Sequence, residues 1–203
     1  MPTPLHEDRL HAVREALRAA GARTVLDLGC GDGALFVRLA ADPAFARIAG
    51  VDISEEALRS LERRLSSAGL LSQERTPLLR ASFTEPDPRL AGYDAAILVE
   101  TIEHVDPARL PRLERTLFES YRPATVVVTT PNVEYNDLLG VPRSRLRHPG
   151  HRFEWTREQF RAWGEAVAAR TGYAAAFRNL GGEHPRLGGP SQMTLFRRAA
   201  DAA

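Results

Sequence analysis

The chain has 203 residues, of which 43% are hydrophobic and 26% charged, which suits one well-buried globular domain and leaves too little for two. No apolar run approaches the roughly 20 residues that span a bilayer, and no secretory leader is visible. One cysteine cannot form an intramolecular disulfide. We therefore expect a cytoplasmic protein without membrane association. The net charge of +1 excludes a strong overall electrostatic field that would attract nucleic acid. All 27 basic residues are arginine.

The spacing of apolar residues predicts helices and strands that alternate along the chain. In chain order these are a helix at 7–20, a strand at 24–28, a helix at 34–41, a strand at 48–52, a helix at 54–67, a weaker strand at 76–82, a strand at 93–99, a helix at 107–118, a strand at 124–130, a helix at 156–169 and a strand at 192–197. This order predicts an α/β fold with a doubly wound, mostly parallel sheet and helices on both faces.

We expect a single domain over residues 1–203 with three parts. An N-terminal helix occupies 1–20, and a cofactor-binding core occupies 21–135. The remainder, 136–203, holds a functional loop followed by a C-terminal helix and strand. The stretch 136–151 has the least regular pattern, and loops of this length are usually functional.

A glycine-rich turn joins the first strand to its helix and predicts a cofactor site. Gly29 and Gly31 allow a tight turn that a ligand can approach closely, and Asp52 ends the second strand, where a carboxylate can accept both hydroxyls of a ribose. The pattern also satisfies the looser nicotinamide-dinucleotide fingerprint. Asp27 favours S-adenosylmethionine, since a carboxylate beside the turn suits an ammonium group and repels a pyrophosphate. Cys30 is interpreted as a small buried residue of the turn.

Three ligand-capable side chains follow the fourth strand. The i, i+3, i+4 spacing of Glu100, Glu103 and His104 predicts one face of a single helical turn. The loop after the fifth strand can fold back over this turn, so that His151 or His148 supplies a fourth ligand. Such a mixed oxygen and nitrogen set suits Mg²⁺, Mn²⁺ or Fe²⁺. Acidic residues favoured at a helix N-terminus are the alternative explanation, and the spacing alone leaves both open.

The chain resembles the methyltransferase domain of bacterial Hen1, a family of RNA 3′-terminal ribose 2′-O-methyltransferases. The likeness covers nearly the whole chain and rests on segments 26–33, 99–107, 126–136 and 151–157, of which the last two are the more specific. It implies a class I methyltransferase fold and metal-assisted methylation of the terminal 2′-hydroxyl, in RNA repair or in protection of small-RNA ends.

The resemblance also implies roles for individual residues. A divalent ion, Mg²⁺ or Mn²⁺, would be held by Glu100, Glu103, His104 and His151, which are also the catalytic set, with His104 or His151 as a further proton acceptor. The methyl donor would contact Asp27, Asp52 and Ser82, together with Gly29, Gly31 and Phe83.

The implied partner is an RNA whose 3′ end carries free 2′- and 3′-hydroxyls. Bacterial members of the family usually have an additional N-terminal domain that works with an RNA repair ligase/kinase. Because this chain begins just before the methyltransferase motifs, it is either a stand-alone relative or an excised domain, and that partnership is left open.

Two other functions compete with this interpretation. A small-molecule O-methyltransferase of the catechol or quinone type has a similar Glu/His segment, and a non-catalytic RNA-binding module would have a degenerate cofactor site. Several arginines near the loop could contact phosphates or simply be solvated: Arg143, Arg145, Arg147 and Arg152. We expect three aromatic residues to belong to the core: Phe153, Trp155 and Trp163.

Overall fold

A computed structural model describes residues 3–142 and 144–199, which form a seven-stranded sheet in the order β3-β2-β1-β4-β5-β7-β6. The first five strands are parallel, and β7 pairs antiparallel with both β5 and β6. The predicted doubly wound, mostly parallel sheet is therefore confirmed. The strands are β1 (Thr24–Leu28), β2 (Arg47–Asp52), β3 (Leu78–Arg80), β4 (Ala95–Val99), β5 (Thr125–Pro131), β6 (Tyr173–Leu180) and β7 (Ser191–Arg198).

Five α-helices within these described ranges connect or flank the strands, and their ends follow from local capping chemistry. They are α1 (Pro4–Ala19), α2 (Ala34–Ala41), α3 (Glu55–Ser67), α4 (Leu110–Glu114) and α5 (Arg157–Thr171). The Ser54 side chain accepts a hydrogen bond from the Ala57 backbone N–H at the start of α3, and Thr156 forms a capping box with Gln159 at the start of α5. Gly172 ends α5 in the left-handed conformation that glycine adopts without strain.

Alternate residues of the central strands point to opposite faces of the sheet, and each face carries its own hydrophobic cluster. Val25 belongs to the cluster covered by α1, α2 and α3, whereas Leu26 and Leu28 belong to the cluster covered by α4 and α5. Both faces are therefore buried, as expected for a doubly wound sheet. Among residues 3–142 and 144–199, no helix is long and apolar enough to cross a membrane.

Several predicted elements need correction. The structure adds β6, which the sequence analysis missed, and the third strand covers only Leu78–Arg80. The predicted helix at 107–118 is a composite, with a 3₁₀ turn at Pro107–Arg109, then α4, then π-helical turns over Arg115–Tyr121. The predicted loop at 136–151 begins inside a 3₁₀ segment, Val133–Leu139.

Candidate active site

The glycine turn lies at the carboxyl end of β1, where Gly29 and Gly31 both have positive φ angles of 77° and 55°. A Cβ placed on Gly29 would lie 2.4 Å from the Cγ2 atom of Thr101, whereas nothing lies within 4 Å of the same position on Gly31. Gly29 is therefore required by close packing as well as by its backbone angle. This contact places the glycine turn directly against the segment that carries Glu100 and His104.

Asp52 holds the same turn from the end of β2. Its Oδ2 accepts a hydrogen bond from the Gly31 backbone N–H at 2.9 Å, and its Oδ1 accepts one from the Ser54 N–H at 2.8 Å. The carboxylate is thereby fixed at the edge of a cleft rather than free to rotate.

Asp27 lies under the turn and is 3% exposed. Burial, followed by the negative charge of Asp52, raises the pKa of the Asp27 carboxyl to about 7. A cation that binds beside Asp27 would stabilise its ionised form. Cys30 is buried as predicted, and burial raises the pKa of its thiol.

Ser82 and Phe83 follow β3 and line the same cleft as Asp52. The Ser82 hydroxyl is 2.9 Å from the Thr84 hydroxyl, and Thr84 in turn accepts a hydrogen bond from Arg109 at 2.8 Å. The cleft has a volume of about 680 Å³. It is lined by the predicted cofactor residues Gly29, Gly31, Asp52, Ser82 and Phe83 together with Glu100 and His104.

Glu100 follows β4 in an unusual backbone conformation, with a φ of 51°. Its backbone N–H donates to the carbonyl and hydroxyl oxygens of Thr129, at 3.2 and 3.1 Å. The carboxylate Oε1 accepts hydrogen bonds from the hydroxyls of Thr129 and Ser191, both at 2.9 Å, and Oε2 lies 3.2 Å from Nη2 of Arg9. Residues from β5, β7 and α1 thus fix this strained glutamate in place.

The expectation that Glu100, Glu103 and His104 share one helical turn was wrong. The turn is a 3₁₀ segment that begins only at Ile102, and the positive φ of Glu100 breaks the helical path before it. Glu100 therefore lines the cleft from the strand end and His104 lines it from the turn, while Glu103, on the same turn, is buried.

Glu103 is completely buried. Its Oε2 accepts a hydrogen bond from the Thr130 hydroxyl at 3.0 Å, but its Oε1 is buried without a partner among the described residues. Burial, followed by the charge of Glu100, raises the pKa of Glu103 well above its ordinary value. The nearest basic group is Nε2 of His151, 3.9 Å from Oε1. A buried carboxylate oxygen without a partner is costly, and a bound cation would satisfy it.

Three imidazoles lie beside Glu103. Within the described residues 3–142 and 144–199, His104, His148 and His151 are the group of potential metal ligands whose ligand atoms all lie within 4.8 Å of one another. The ring centroids of His104 and His151 are 4.9 Å apart. His148, which the sequence offered as the alternative to His151 for the fourth ligand, thus belongs to the same cluster as the two histidines of the predicted set. The glutamate oxygens do not belong to this tight group.

The hydrogen bonds of the three rings determine which nitrogen is free. Nδ1 of His104 lies 3.0 Å from the Gly150 carbonyl oxygen, which only accepts, so this nitrogen must be protonated and Nε2 carries the lone pair. Nδ1 of His151 lies 2.6 Å from a carboxylate oxygen of Glu154, which gives the same tautomer. His148 is the opposite case, because its Nδ1 accepts the Gly150 N–H at 3.0 Å. The neutral form of His148 therefore carries its proton on Nε2.

The arginines of the loop differ in burial and in hydrogen bonding. Arg147 is half-buried, and its guanidinium donates to Asn136 and to the carbonyl oxygens of Asn132 and Pro190, so it is a structural residue rather than a free phosphate ligand. Arg145 and Arg152 are exposed, and Arg152 lines the cleft. Arg143 lies outside the described residues.

The predicted aromatic residues pack as expected. Phe153, Trp155 and Trp163 are partly buried against the cluster under α5, and the Trp163 indole donates to Glu114 at 2.7 Å. They are core residues, which confirms their interpretation from the sequence.

Four residues of the site were missed from the sequence. Arg9 and Ser191 contact Glu100, Thr130 contacts Glu103, and Glu154 contacts His151. Thr130 and Glu154 lie in segments already singled out, 126–136 and 151–157, and Glu154 follows His151 by three residues. The others come from distant parts of the chain and meet only through the order of the strands.

Comparison with known proteins gives a consistent result. A family described as "Methyltransferase domain" matches residues 25–124. The small RNA 2′-O-methyltransferase of Rattus norvegicus is 36% identical over 206 residues, a match that covers 96% of this chain and 51% of that protein.

Two solved structures are similar over nearly the whole chain. The methyltransferase domain of bacterial CtHen1 is 41% identical with a TM-score of 0.86, covering 97% of this chain and 100% of that one. The small RNA methyltransferase HEN1 is 32% identical with a TM-score of 0.88, and the match covers 98% of this chain and 26% of that one. The chain spans about half the length of the curated rodent relatives that it matches, 51% and 46%.

Proposed function

The chain belongs to the family of the bacterial Hen1 methyltransferase domain, and on that premise we propose that it transfers a methyl group from S-adenosylmethionine to the 2′-hydroxyl of the 3′-terminal ribose of RNA with the help of a divalent ion. The observation that carries this proposal is the juxtaposition of Glu103 with His151, next in sequence to the cleft-lining residues His104 and Arg152. Among the residues that the structure describes, Glu103 has a buried carboxylate oxygen without a hydrogen-bond partner, 3.9 Å from a ring nitrogen of His151 that carries a lone pair.

The donor pocket supports S-adenosylmethionine as the cofactor. Asp52 is held at the carboxyl end of β2, where it can accept the ribose hydroxyls of the donor, and Ser82 and Phe83 line the same cleft. Asp27 is buried beside the glycine turn, where it can pair with the ammonium group of the methionine part. A dinucleotide would instead place its pyrophosphate against this carboxylate, which is unfavourable.

The donor set fits a divalent ion of the Mg²⁺ or Mn²⁺ class. Glu103 supplies a charged oxygen, His104 and His151 supply neutral Nε2 atoms, and Glu100 supplies a second carboxylate once its Oε2 leaves Arg9. Burial, and then the negative charge of Glu100, raises the pKa of Glu103, and a cation bound beside it would offset both effects. When bound, the ion would act as a Lewis acid that lowers the pKa of a ribose hydroxyl.

The reaction balances without any other reagent. The bond between the sulfonium and its methyl carbon breaks, a bond from that carbon to the 2′-oxygen forms, and the products are S-adenosylhomocysteine, methylated RNA and a proton. The protein's residues would hold the donor at Asp27 and Asp52. The ligands of the ion lie beside it, where the two vicinal hydroxyls of a terminal ribose would bind. An internal nucleotide lacks the free 3′-hydroxyl and would be rejected, so the same activity would serve RNA repair or protection of small-RNA ends.

The test uses radiolabelled S-adenosylmethionine with a short RNA ending in free 2′,3′-hydroxyls and with its 3′-phosphate and 2′-deoxy versions. Each substrate is tested with Mn²⁺ and with EDTA. We expect label only in the free-diol RNA with Mn²⁺, and at least a hundredfold loss in Glu103→Gln, whereas Glu119→Gln, an exposed glutamate, serves as the matched control. Label in a catechol but not in RNA would support the small-molecule alternative, and donor binding without transfer to either would support a binding module.

A further inference from the structure

Beneath His151 lies a buried carboxylate, Glu154, whose side chain has no exposed surface. Its Oε1 accepts hydrogen bonds from Nδ1 of His151 and from the backbone N–H of Arg147, both at 2.6 Å. Its Oε2 accepts one from the amide Nδ2 of Asn136, also at 2.6 Å. Three donors around this buried carboxylate fix its orientation.

The partners of Glu154 are themselves fixed. The guanidinium of Arg147 donates to Oδ1 of Asn136, at 3.0 Å from Nε and 2.6 Å from Nη2, and to two backbone carbonyl oxygens, those of Asn132 and Pro190, both at 2.8 Å. Because Oδ1 of Asn136 must face Arg147, its NH₂ group must face Glu154, and the amide cannot flip. The loop that carries His151 is therefore anchored to the ends of β5 and β7 through these side chains.

The consequence for His151 is chemical as well as geometric. Glu154 accepts from Nδ1, so Nε2 is left unprotonated and directed towards Oε1 of Glu103. We propose that Glu154 is a positioning residue that fixes the tautomer and orientation of His151 and strengthens Nε2 as a metal ligand. This inference rests on the ligand role that the proposed function gives to His151. The principle is that a ring nitrogen donating to a carboxylate makes the opposite nitrogen a better donor to a metal.

His104 provides an internal comparison. Its Nδ1 donates to a neutral backbone carbonyl, that of Gly150, rather than to a carboxylate. We therefore expect His151 to be the stronger of the two imidazole ligands, and its strength to depend on a side chain that mutation can change.

The first experiment measures Mn²⁺ binding to the whole chain without RNA or methyl donor, from the electron paramagnetic resonance signal of the free ion. Glu154→Gln should weaken Mn²⁺ binding by about 10- to 100-fold, the usual effect of losing such a partner. Glu158→Gln, an exposed glutamate four residues further on, should have no effect. Affinity for S-adenosylmethionine should stay within about twofold in both variants, because the donor pocket does not include Glu154.

A double-mutant cycle separates positioning from general support of the fold. If Glu154 acts through His151, then Glu154→Gln should cause no further loss of Mn²⁺ affinity in a His151→Ala protein. Equal losses on both backgrounds would overturn the inference, as would unchanged affinity in Glu154→Gln itself. Should Glu154→Gln fold poorly, it can be combined with Asn136→Asp. In that pair the amide at position 154 donates to the carboxylate at position 136, which restores the hydrogen bond between the two side chains and moves the negative charge away from His151. That pair should fold normally and still bind Mn²⁺ less tightly than the wild type.

A second readout does not depend on a metal. Nitrogen-15 NMR of the wild-type chain should show His151 protonated at Nδ1 and His148 protonated at Nε2. An Nε2-protonated His151 would overturn this inference alone. A wild-type chain with the expected tautomers but no affinity for Mn²⁺ would instead refute the metal dependence of the proposed function and, with it, the ligand role of His151.

Discussion

Affinity for S-adenosylmethionine should depend steeply on pH through Asp27. Burial and the nearby charge of Asp52 raise the pKa of this carboxyl to about 7 in the free protein, while the pairing that we propose with the donor's ammonium group requires the ionised form of Asp27. The apparent dissociation constant should then increase by the factor 1 + 10^(7−pH). Between pH 8 and pH 6 this is about a tenfold loss of affinity, or about 1.4 kcal/mol.

The sign of this effect follows from linkage. Because the pKa of Asp27 is raised, this carboxyl keeps its proton in the folded free protein at a pH where the unfolded chain has already released it. The contribution of Asp27 to folding stability is therefore lost as pH rises towards 7. Donor binding stabilises the ionised form, so added S-adenosylmethionine should raise the melting temperature more at pH 8 than at pH 6.

Isothermal titration calorimetry at half-unit steps from pH 5.5 to 8, without metal or RNA, measures this dependence directly. Asp27→Asn is the control, because an amide cannot titrate; it should bind more weakly than the wild type at pH 8 and show a flat profile. A wild-type dissociation constant that stays constant from pH 8 to pH 6, or an equal slope in Asp27→Asn, would refute the assignment of Asp27 to the donor's ammonium group.

Two further predictions follow from glycine packing and from the histidine tautomers. In chemical denaturation, Gly29→Ala should lower the free energy of unfolding by about 1–3 kcal/mol more than Gly31→Ala does. Both glycines have a positive φ, but only a side chain at Gly29 would clash with Thr101. Equal losses would contradict the packing argument. In Mn²⁺ titrations, His151→Ala should lose far more affinity than His148→Ala, because the neutral ring of His148 carries its proton on Nε2; the reverse order would contradict the ligand assignment.

The parallel part of the fold was predictable because its signals are local. Apolar runs that end at Gly29 and at Asp52 define β1 and β2, and the structure places both strands within one residue of the prediction. β6 was missed for a physical reason. It is an edge strand that begins Tyr173-Ala-Ala-Ala, and alanine has a low strand propensity, so neither its composition nor its alternation stands out.

The candidate site was predictable in residue type and only partly in geometry. The structure brings His104 and His151 together beside Glu103, as the pattern indicated. The positive φ of Glu100 was not visible in the sequence, because hydrogen bonds that the Glu100 backbone N–H donates to Thr129, in the neighbouring strand, hold that conformation. Long-range contacts of this kind depend on strand order and leave no local pattern.

The methylated position tests the central claim most directly. After reaction with the wild-type chain, S-adenosylmethionine and Mn²⁺, an RNA of defined length is treated with periodate and then with base, which removes a terminal nucleotide only if its 2′,3′-diol is intact. We predict that every RNA carrying label keeps its full length and that RNA incubated with Glu103→Gln is shortened by one nucleotide. Labelled RNA that is also shortened would place the methyl group elsewhere and would contradict terminal 2′-O-methylation.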